Sequence, residues 1–467
     1  MARTLTRDLT EGRPLKLILS FAAPLLFGVL FQQFYSFVDT AIVGRYLGAD
    51  KLAAVGATGS VNFLVIGLCL GLCSGFAIPV AQAFGAHDEG EVRRSVFHAV
   101  VLSAVMSVVF ALAATLLCKP LLRLMNTPEE IIDDSASYIR IIFAAIPCCI
   151  LYNMAGGILR SLGDSRTPVL FLVLASLINI VLDLFLIIVV KMDVAGAAVA
   201  TAVSQLLAGV GCVIVMVRRF PILRMTREDR RFSMPKAGRM LGIGLPMGLQ
   251  FSITAVGSVV VQWSVNGLGV NAVAAISAAV KLSMFFACIF DALATTMATF
   301  AGQNIGAKKL DRVHEGLKAA SLIGVVYCVF AFAVVWFFTR PMLSLFIDPD
   351  AAPEVTAMGV RYLTINAAFY IPLLFVNIVR LSIQGMGFTR VAMFAGLFEM
   401  VARTAVALFL VPVLGFTGAC LANPAAWIAA DLFLIPCYFR TIRALRMRLM
   451  PGTEPARRSF RVLKRTA

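Results

Sequence analysis

The sequence predicts an all-α integral membrane protein: twelve transmembrane helices in two like-oriented six-helix bundles. Three observations predict it. Of 467 residues, 60% are hydrophobic and 14% charged, a ratio about twice that of soluble domains. Twelve apolar runs of roughly 22 residues each take up well over half the chain, and each is long enough to cross a hydrocarbon core of about 30 Å. The second half of the chain repeats the first in the same direction.

Helix 1, near 15–40, follows Arg3, Arg7 and Arg13 and runs from Leu15 past Val38 without a small-residue cleavage site, so it stays as a span rather than leaving as a signal peptide. Helices 2 to 6 follow near 52–84, 96–117, 137–159, 168–190 and 195–217, separated by loops too short to fold by themselves. Arg218 to Arg239 forms a long basic connection. Helices 7 to 12 lie near 240–262, 272–300, 319–339, 362–384, 391–413 and 417–439. The expected domains are 1–217, a basic linker at 218–239, 240–440, and a basic tail at 441–467.

The formal charge of +16 is unevenly distributed. Roughly 29 Lys and Arg fall on the side of the termini and about 6 on the other, which places both ends in the cytoplasm. The linker and the tail, with Arg443, Arg446, Arg448, Arg457, Arg458, Lys464 and Arg465, carry most of the excess. Basic residues so placed set topology and meet anionic lipid; they do not indicate nucleic acid. The ten Cys, among them Cys69, Cys73, Cys118, Cys148 and Cys149, lie almost entirely within apolar runs, with no CxxC and no metal-ligand spacing. His87, His98 and His314 are scattered. No phosphate-binding glycine loop, GxSxG or HExxH is present, so neither nucleotide-driven transport nor hydrolysis within the membrane finds support. No cofactor is expected.

Residues 20–220 set on 242–440 align at an offset of about 221 to 224. Pro24 falls on Pro246, and Gly48 with Leu52-Ala53-Ala54-Val55 on Gly269 with Val273-Ala274-Ala275-Ile276. Ala81-Gln82-Ala83-Phe84-Gly85-Ala86 falls on Gly302-Gln303-Asn304-Ile305-Gly306-Ala307, and Asn153 with Gly163 on Asn377 with Gly387. A parallel six-helix repeat implies a pseudo-two-fold axis along the membrane normal and a cavity between the halves able to open to either side, which is transporter architecture.

An ionisable side chain at the centre of a membrane helix costs on the order of 3 kcal/mol and persists only with a partner, water or a function. Eight qualify: Asp39, Asp183, Lys281, Asp291, Arg380, Glu399, Arg403 and Asp431. Asp39 and Asp183 fall at similar depth, toward the outer ends of helices 1 and 5. Asn179 lies one turn before Asp183 on the same face, and Thr201 is at matching depth on helix 6. Two carboxylates, an amide and a hydroxyl can hold a proton, which desolvation and like-charge repulsion both favour, or offer oxygens to Na⁺. The plainer reading has Asp39 capping helix 1 and Asp183 as an interfacial acid near Lys191.

Gln33-Phe34-Tyr35-Ser36-Phe37-Val38-Asp39-Thr40-Ala41-Ile42-Val43-Gly44, with Leu47-Gly48 and Leu52-Ala53-Ala54-Val55-Gly56, resembles the helix 1 to helix 2 signature of the multidrug and toxic compound extrusion (MATE) transporters. Arg160-Ser161-Leu162-Gly163-Asp164-Ser165-Arg166-Thr167-Pro168 resembles that family's helix 4 to helix 5 loop. The resemblance spans the chain. It implies an antiporter of a prokaryotic cytoplasmic membrane that exports amphipathic, mostly cationic compounds in exchange for H⁺ or Na⁺. It also implies that Asp39, Asn179, Asp183 and Thr201 form the cation-coupling site of the DinF-like branch, and that helix 1 bends at Pro24 on protonation.

The second half departs from that pattern: Asp39 aligns with Val261 or Gln262, Asn179 with Arg403 and Asp183 with Ala407. Glu399 and Arg403 stand there instead as an i,i+4 pair. With Lys281 and Asp291 they form an expected polar network, read equally as a gate or substrate contact and as a self-neutralised scaffold. Arg380 and Asp431 are expected to snorkel or pair locally. Gln32, Tyr35, Asn153 and Gln205 are candidate substrate contacts. Abundant Phe and Met, 35 and 19 copies, suit an adaptable apolar cavity, though lipid-facing Phe explains many of them equally well. Amphipathic cations and membrane lipids are the expected partners, and a monomer the expected state. The rivals are a flippase of lipid-linked oligosaccharide, which calls for a basic central cavity, and a membrane receptor or enzyme, which calls for a soluble or catalytic region.

Overall fold

A computed structural model describes residues 7–125, 127–346 and 352–449; the distal part of the basic tail and Arg3 lie outside them. Among these residues every regular element is helical. The spans are α1 (Pro14–Leu47), α2 (Asp50–Gly85), α3 (Glu89–Leu124), α4 (Glu129–Ala144 and Ile146–Ser161), α5 (Arg166–Val189) and α6 (Val194–Arg219). After the linker come α7 (Met234–Asn266), α8 (Val270–Gly306), α9 (Leu310–Leu343), α10 (Pro353–Ala368 and Tyr370–Gly385), α11 (Thr389–Leu414) and α12 (Phe416–Leu449).

Two features differ from the expected spans. The unbroken helices run to 37 residues, well beyond about 22, because a hydropathy window sees only the stretch within hydrocarbon whereas hydrogen bonding carries a helix on into its polar flanks. α3 shows this: it begins among charges, with the Asp88 carboxylate accepting from the Glu91 N–H at 2.8 Å. At the other end of the chain, α12 continues nine residues past the expected boundary at 440. Secondly, α4 and α10 are each broken, by 44° at Ala145 and by 51° at Phe369. The two breaks are repeat equivalents.

The repeat is visible in the turns. Gly48 and Gly269, which open α2 and α8, have φ of 91° and 97°, a region closed to most side chains. In the first bundle α1 packs on α5, α2 on α3 and α4, and α6 on α4 and α5; the second repeats this with α7 on α11, α8 on α9 and α10, and α12 on α10 and α11. One apolar core fills the second bundle and takes in the start of α1 with Val169 of α5, and the other runs through α2, α3, α4 and α6 and takes in Ala237 and Met240 at the start of α7. Lys51 on α2 ties together the end of the first bundle away from the linker, reaching Asp134 at 2.8 Å and Asp193 at 2.5 Å.

The bundles meet along α2 against α7 and along α1 and α2 against α8. Small residues allow the approach: a Cβ on Gly71 would lie 2.5 Å from the Met247 carbonyl oxygen, and one on Gly75 2.5 Å from the Gly244 Cα. At the C-terminal ends of α2 and α8 the seam is tighter still. A Cβ on Gly85 would lie 1.9 Å from the Gln303 carbonyl oxygen, and one on Gly306 1.9 Å from that of Gln82. The same two glutamines reach across symmetrically: Gln82 Nε2 donates to the Gly385 carbonyl ending α10 (3.0 Å), and Gln303 Nε2 to the Ser161 carbonyl ending α4 (2.8 Å). Gln303 Oε1 also accepts from the Leu9 N–H at 2.9 Å. The bundles are therefore sealed together at the end that carries the linker and the start of α1.

The linker is docked rather than loose. Asp229 takes the Arg93 guanidinium of α3 at 2.8 Å; hydrogen bonds from Thr226, with that guanidinium, hold its carboxyl below the usual carboxylate range. Lys236 pairs with Glu91 at 2.6 Å. His98 stacks on Phe232, and its Nε2 accepts from the Ser233 N–H at 2.9 Å.

Candidate functional site

α5 places Asn179 and Asp183 on one face and buries both. With the amide oriented to satisfy its neighbours, Asn179 donates to Asp183 Oδ2 at 3.2 Å, and its carbonyl accepts from the Thr201 N–H of α6 at 3.2 Å. The amide therefore bridges α5 to α6. α1 brings Asp39 within hydrogen-bonding reach of Asp183. Tyr35 and Gln205, together with Asn179, Thr201 and Ser204, line a void of about 10 Å³ beside the acids, room for about one water. Three buried oxygens here have no hydrogen-bond partner among the described residues: Asp39 Oδ1, Asp183 Oδ1 and Gln205 Oε1.

Of the remaining first-half candidates, Gln32 is exposed on α1, and Asn153 turns its amide onto the Cys149 carbonyl of its own helix at 2.8 Å; neither lines this void. Pro24 sits inside α1, which continues unbroken around it. Tyr138, on the first segment of α4, is a neighbour that sequence reasoning missed: it lies close enough to Asp39, Tyr35 and Asp183 to feel their charge. Its repeat equivalent, Tyr362, was the available signal.

In the second bundle the expected network changes membership. Arg380 belongs to it: its guanidinium binds Glu399 directly, while Arg403 reaches the other Glu399 oxygen at 3.4 Å. Arg403 also donates to Asn423 (3.3 Å), which donates to the Tyr362 hydroxyl (3.1 Å). Arg380, Glu399 and Arg403, with Asp291, Asn377 and Trp427, line a cavity of about 220 Å³. Lys281 does not belong. Ten residues before Asp291 on α8, it stands about 15 Å away along the axis, exposed, with its ammonium 5.9 Å from the Phe346 ring. Asp431 is buried near Arg380, and its Oδ1 has no hydrogen-bond partner among the described residues.

The two sites are structural counterparts. Tyr138, Asn179 and Thr201 of one correspond to Tyr362, Arg403 and Asn423 of the other, at offsets of about 222 to 224. The helix-to-helix bridge survives, but with a guanidinium in place of an amide and no acid corresponding to Asp39 or Asp183. Arg160, at the end of α4, is a further cation that the reading by spans overlooked; it lines a void of about 60 Å³ on the seam with Ser161, Met247 and Thr299.

A family model, MatE, matches the chain twice, over residues 24–185 and 246–409, one match to each half of the repeat. The chain is 31% identical over 376 residues to "Probable multidrug resistance protein YpnP" of Bacillus subtilis (strain 168), covering 80% of this chain and 82% of that protein. It is 30% identical over 334 residues to "Probable multidrug resistance protein YoeA" of the same organism, covering 70% and 72%. Among solved structures, an outward-facing multidrug resistance MATE family transporter of the MOP superfamily superposes with a TM-score of 0.88 at 23% identity, over 96% of this chain and 99% of that one. Family model, relatives and fold agree: the chain belongs to the MATE family of transporters.

Proposed function

We propose that the protein is a multidrug efflux antiporter of a prokaryotic cytoplasmic membrane, exporting amphipathic cations in exchange for H⁺ or Na⁺ taken up at Asp39, Asn179, Asp183 and Thr201. The carrying observation is the cluster of partnerless buried oxygens on Asp39, Asp183 and Gln205. Two neighbouring, largely buried carboxyls do not readily stay ionised together without a proton or cation between them. Asn179 holds Asp183 in place, and the adjoining void leaves room for a water or a dehydrated ion. The names of the relatives support drugs and dyes as the substrate class.

Coupling requires only mutual exclusion. An ionised pair attracts a cationic compound held in the cavity between the bundles; the loaded pair does not, so ion uptake from outside releases the compound there. The cycle then returns the bundles to the inward-open arrangement by breaking the seam at Gln82 and Gln303. With both termini in the cytoplasm, as the basic-residue bias requires, that seam is the cytoplasmic gate.

The test is ethidium efflux from proteoliposomes under an imposed pH gradient and then an imposed Na⁺ gradient. Asp39→Asn and Asp183→Asn should each cut gradient-driven efflux at least 100-fold, about 2.7 kcal/mol of lost coupling, while leaving folding intact. Asn179→Ala and Thr201→Ala should be milder. A double Asp variant that still pumps against a gradient refutes the site.

A further inference from the structure

A large apolar groove lies away from both polar sites. It is a groove of about 740 Å³ on the outer flank of the first bundle, with the second segment of α4 as its floor, α3 and α6 as its walls and the docked linker across one end. Its lining is almost wholly aliphatic along the helices. α3 contributes from Val96 to Ser107, α4 from Pro147 to Ile158 and α6 from Leu206 to Val217. Each stretch rises about 16 Å, half of a hydrocarbon core of about 30 Å. The groove therefore spans one leaflet, on the side of the linker. Val100, Leu206 and Val217 remain exposed along it, so it opens toward lipid and not toward the cavity between the bundles.

The linker end has a different chemistry. Arg224 and Arg230 line the groove there, both exposed. Neither makes an ion pair among the described residues, whereas the neighbouring Asp229 and Lys236 are paired to α3. Those pairs, with His98 against Ser233, fix the linker under the groove. Two unpaired guanidiniums at headgroup level above an apolar slot one leaflet long match a phosphate above an acyl chain.

We infer that this groove is a binding site for an anionic phospholipid of the leaflet on the linker side, with the phosphate on Arg224 and Arg230 and an acyl chain along α4. The site is independent of the transport reading. Its occupant would hold α3, α4, α6 and the linker as one unit.

The experiment is native mass spectrometry, with thermal unfolding in parallel, of the full chain in detergent titrated with dioleoyl-phosphatidylglycerol or dioleoyl-phosphatidylcholine. The wild type should bind and be stabilised by phosphatidylglycerol in preference. Each arginine near a membrane surface is worth about a fivefold change in affinity, so the double variant Arg224→Gln, Arg230→Gln should lose about 25-fold for phosphatidylglycerol and little for phosphatidylcholine. Ala104→Trp, whose side chain enters the groove, should lose both lipids. Val105→Trp, exposed on the same helix but outside the groove, should lose neither. Equal binding of the two lipids by the wild type overturns the assignment whatever the variants do. So does unchanged phosphatidylglycerol binding in the double variant, displacement of the lipid by ethidium, or equal stabilisation by inorganic phosphate alone.

Discussion

Asn179 and Arg403 occupy equivalent places in the repeat and do opposite things. The amide leaves its neighbouring carboxyl oxygens partly unsatisfied, whereas the guanidinium completes a salt bridge with Glu399. The second site thus differs from the first by a guanidinium in place of an amide and by the absence of both acids. Asn179→Arg should place a fixed cation beside Asp183, abolishing gradient-driven efflux while leaving the thermal midpoint near or above that of the wild type, since an unmatched buried carboxyl gains a partner. Vesicle transport and detergent melting check this together; retained pumping would mean that the coupling ion binds elsewhere.

Among the elements, α10 and α11 are held by Arg380 and Arg403 sharing Glu399, all three buried. Removing the acid alone strands two guanidiniums. Glu399→Gln should therefore cost about 3 to 5 kcal/mol, while Arg380→Met, Glu399→Leu and Arg403→Met combined should restore stability to within about 1 or 2 kcal/mol of the wild type. Chemical denaturation in micelles measures both. Transport by the triple variant then separates the two roles open to the network: full activity leaves it a scaffold, and a folded but inactive protein makes the 220 Å³ cavity part of the substrate path.

Across the whole molecule, the seal between the bundles repeats itself, with Gln82 and Gln303 each crossing to the other bundle's broken helix. Gln82→Ala should weaken it by about 1 kcal/mol and Gln303→Ala by about twice that, since Gln303 also accepts from the Leu9 N–H. Gly85→Ala and Gly306→Ala should act more strongly, since the added carbon meets backbone and not a side chain able to move. Amide hydrogen exchange over 81–86 and 302–307 is the readout: faster exchange in all four variants is expected, and unchanged protection would show that the seam is held elsewhere. For topology, reporter fusions after Arg446 and between Leu343 and Pro353, where α9 ends and α10 begins, should give opposite signals, and matching signals would contradict twelve spans.

Composition, hydrophobic run length and self-similarity were enough to determine a membrane protein of twelve spans in two like bundles, because in lipid the backbone must satisfy its own hydrogen bonds and a span must cross a set thickness. Asp39 and Asp183 stood out for a related reason: a charge in hydrocarbon is costly, so each one present is conspicuous. Helical rotation and contact between helices distant in sequence were not legible. Spacing along α8 cannot say that Lys281 turns to Phe346 while Asp291 lines the cavity beside Arg380 and Glu399, nor that Arg380 on α10 completes a pair begun on α11. Tyr138 and the Gln82 and Gln303 crossings were likewise hidden, although the repeat had already matched the two glutamines. Such partners meet only once α1, α4, α5 and α6, or both bundles, have packed, and that packing is decided by the small-residue contacts and helix breaks of the folded molecule, which hydropathy does not encode.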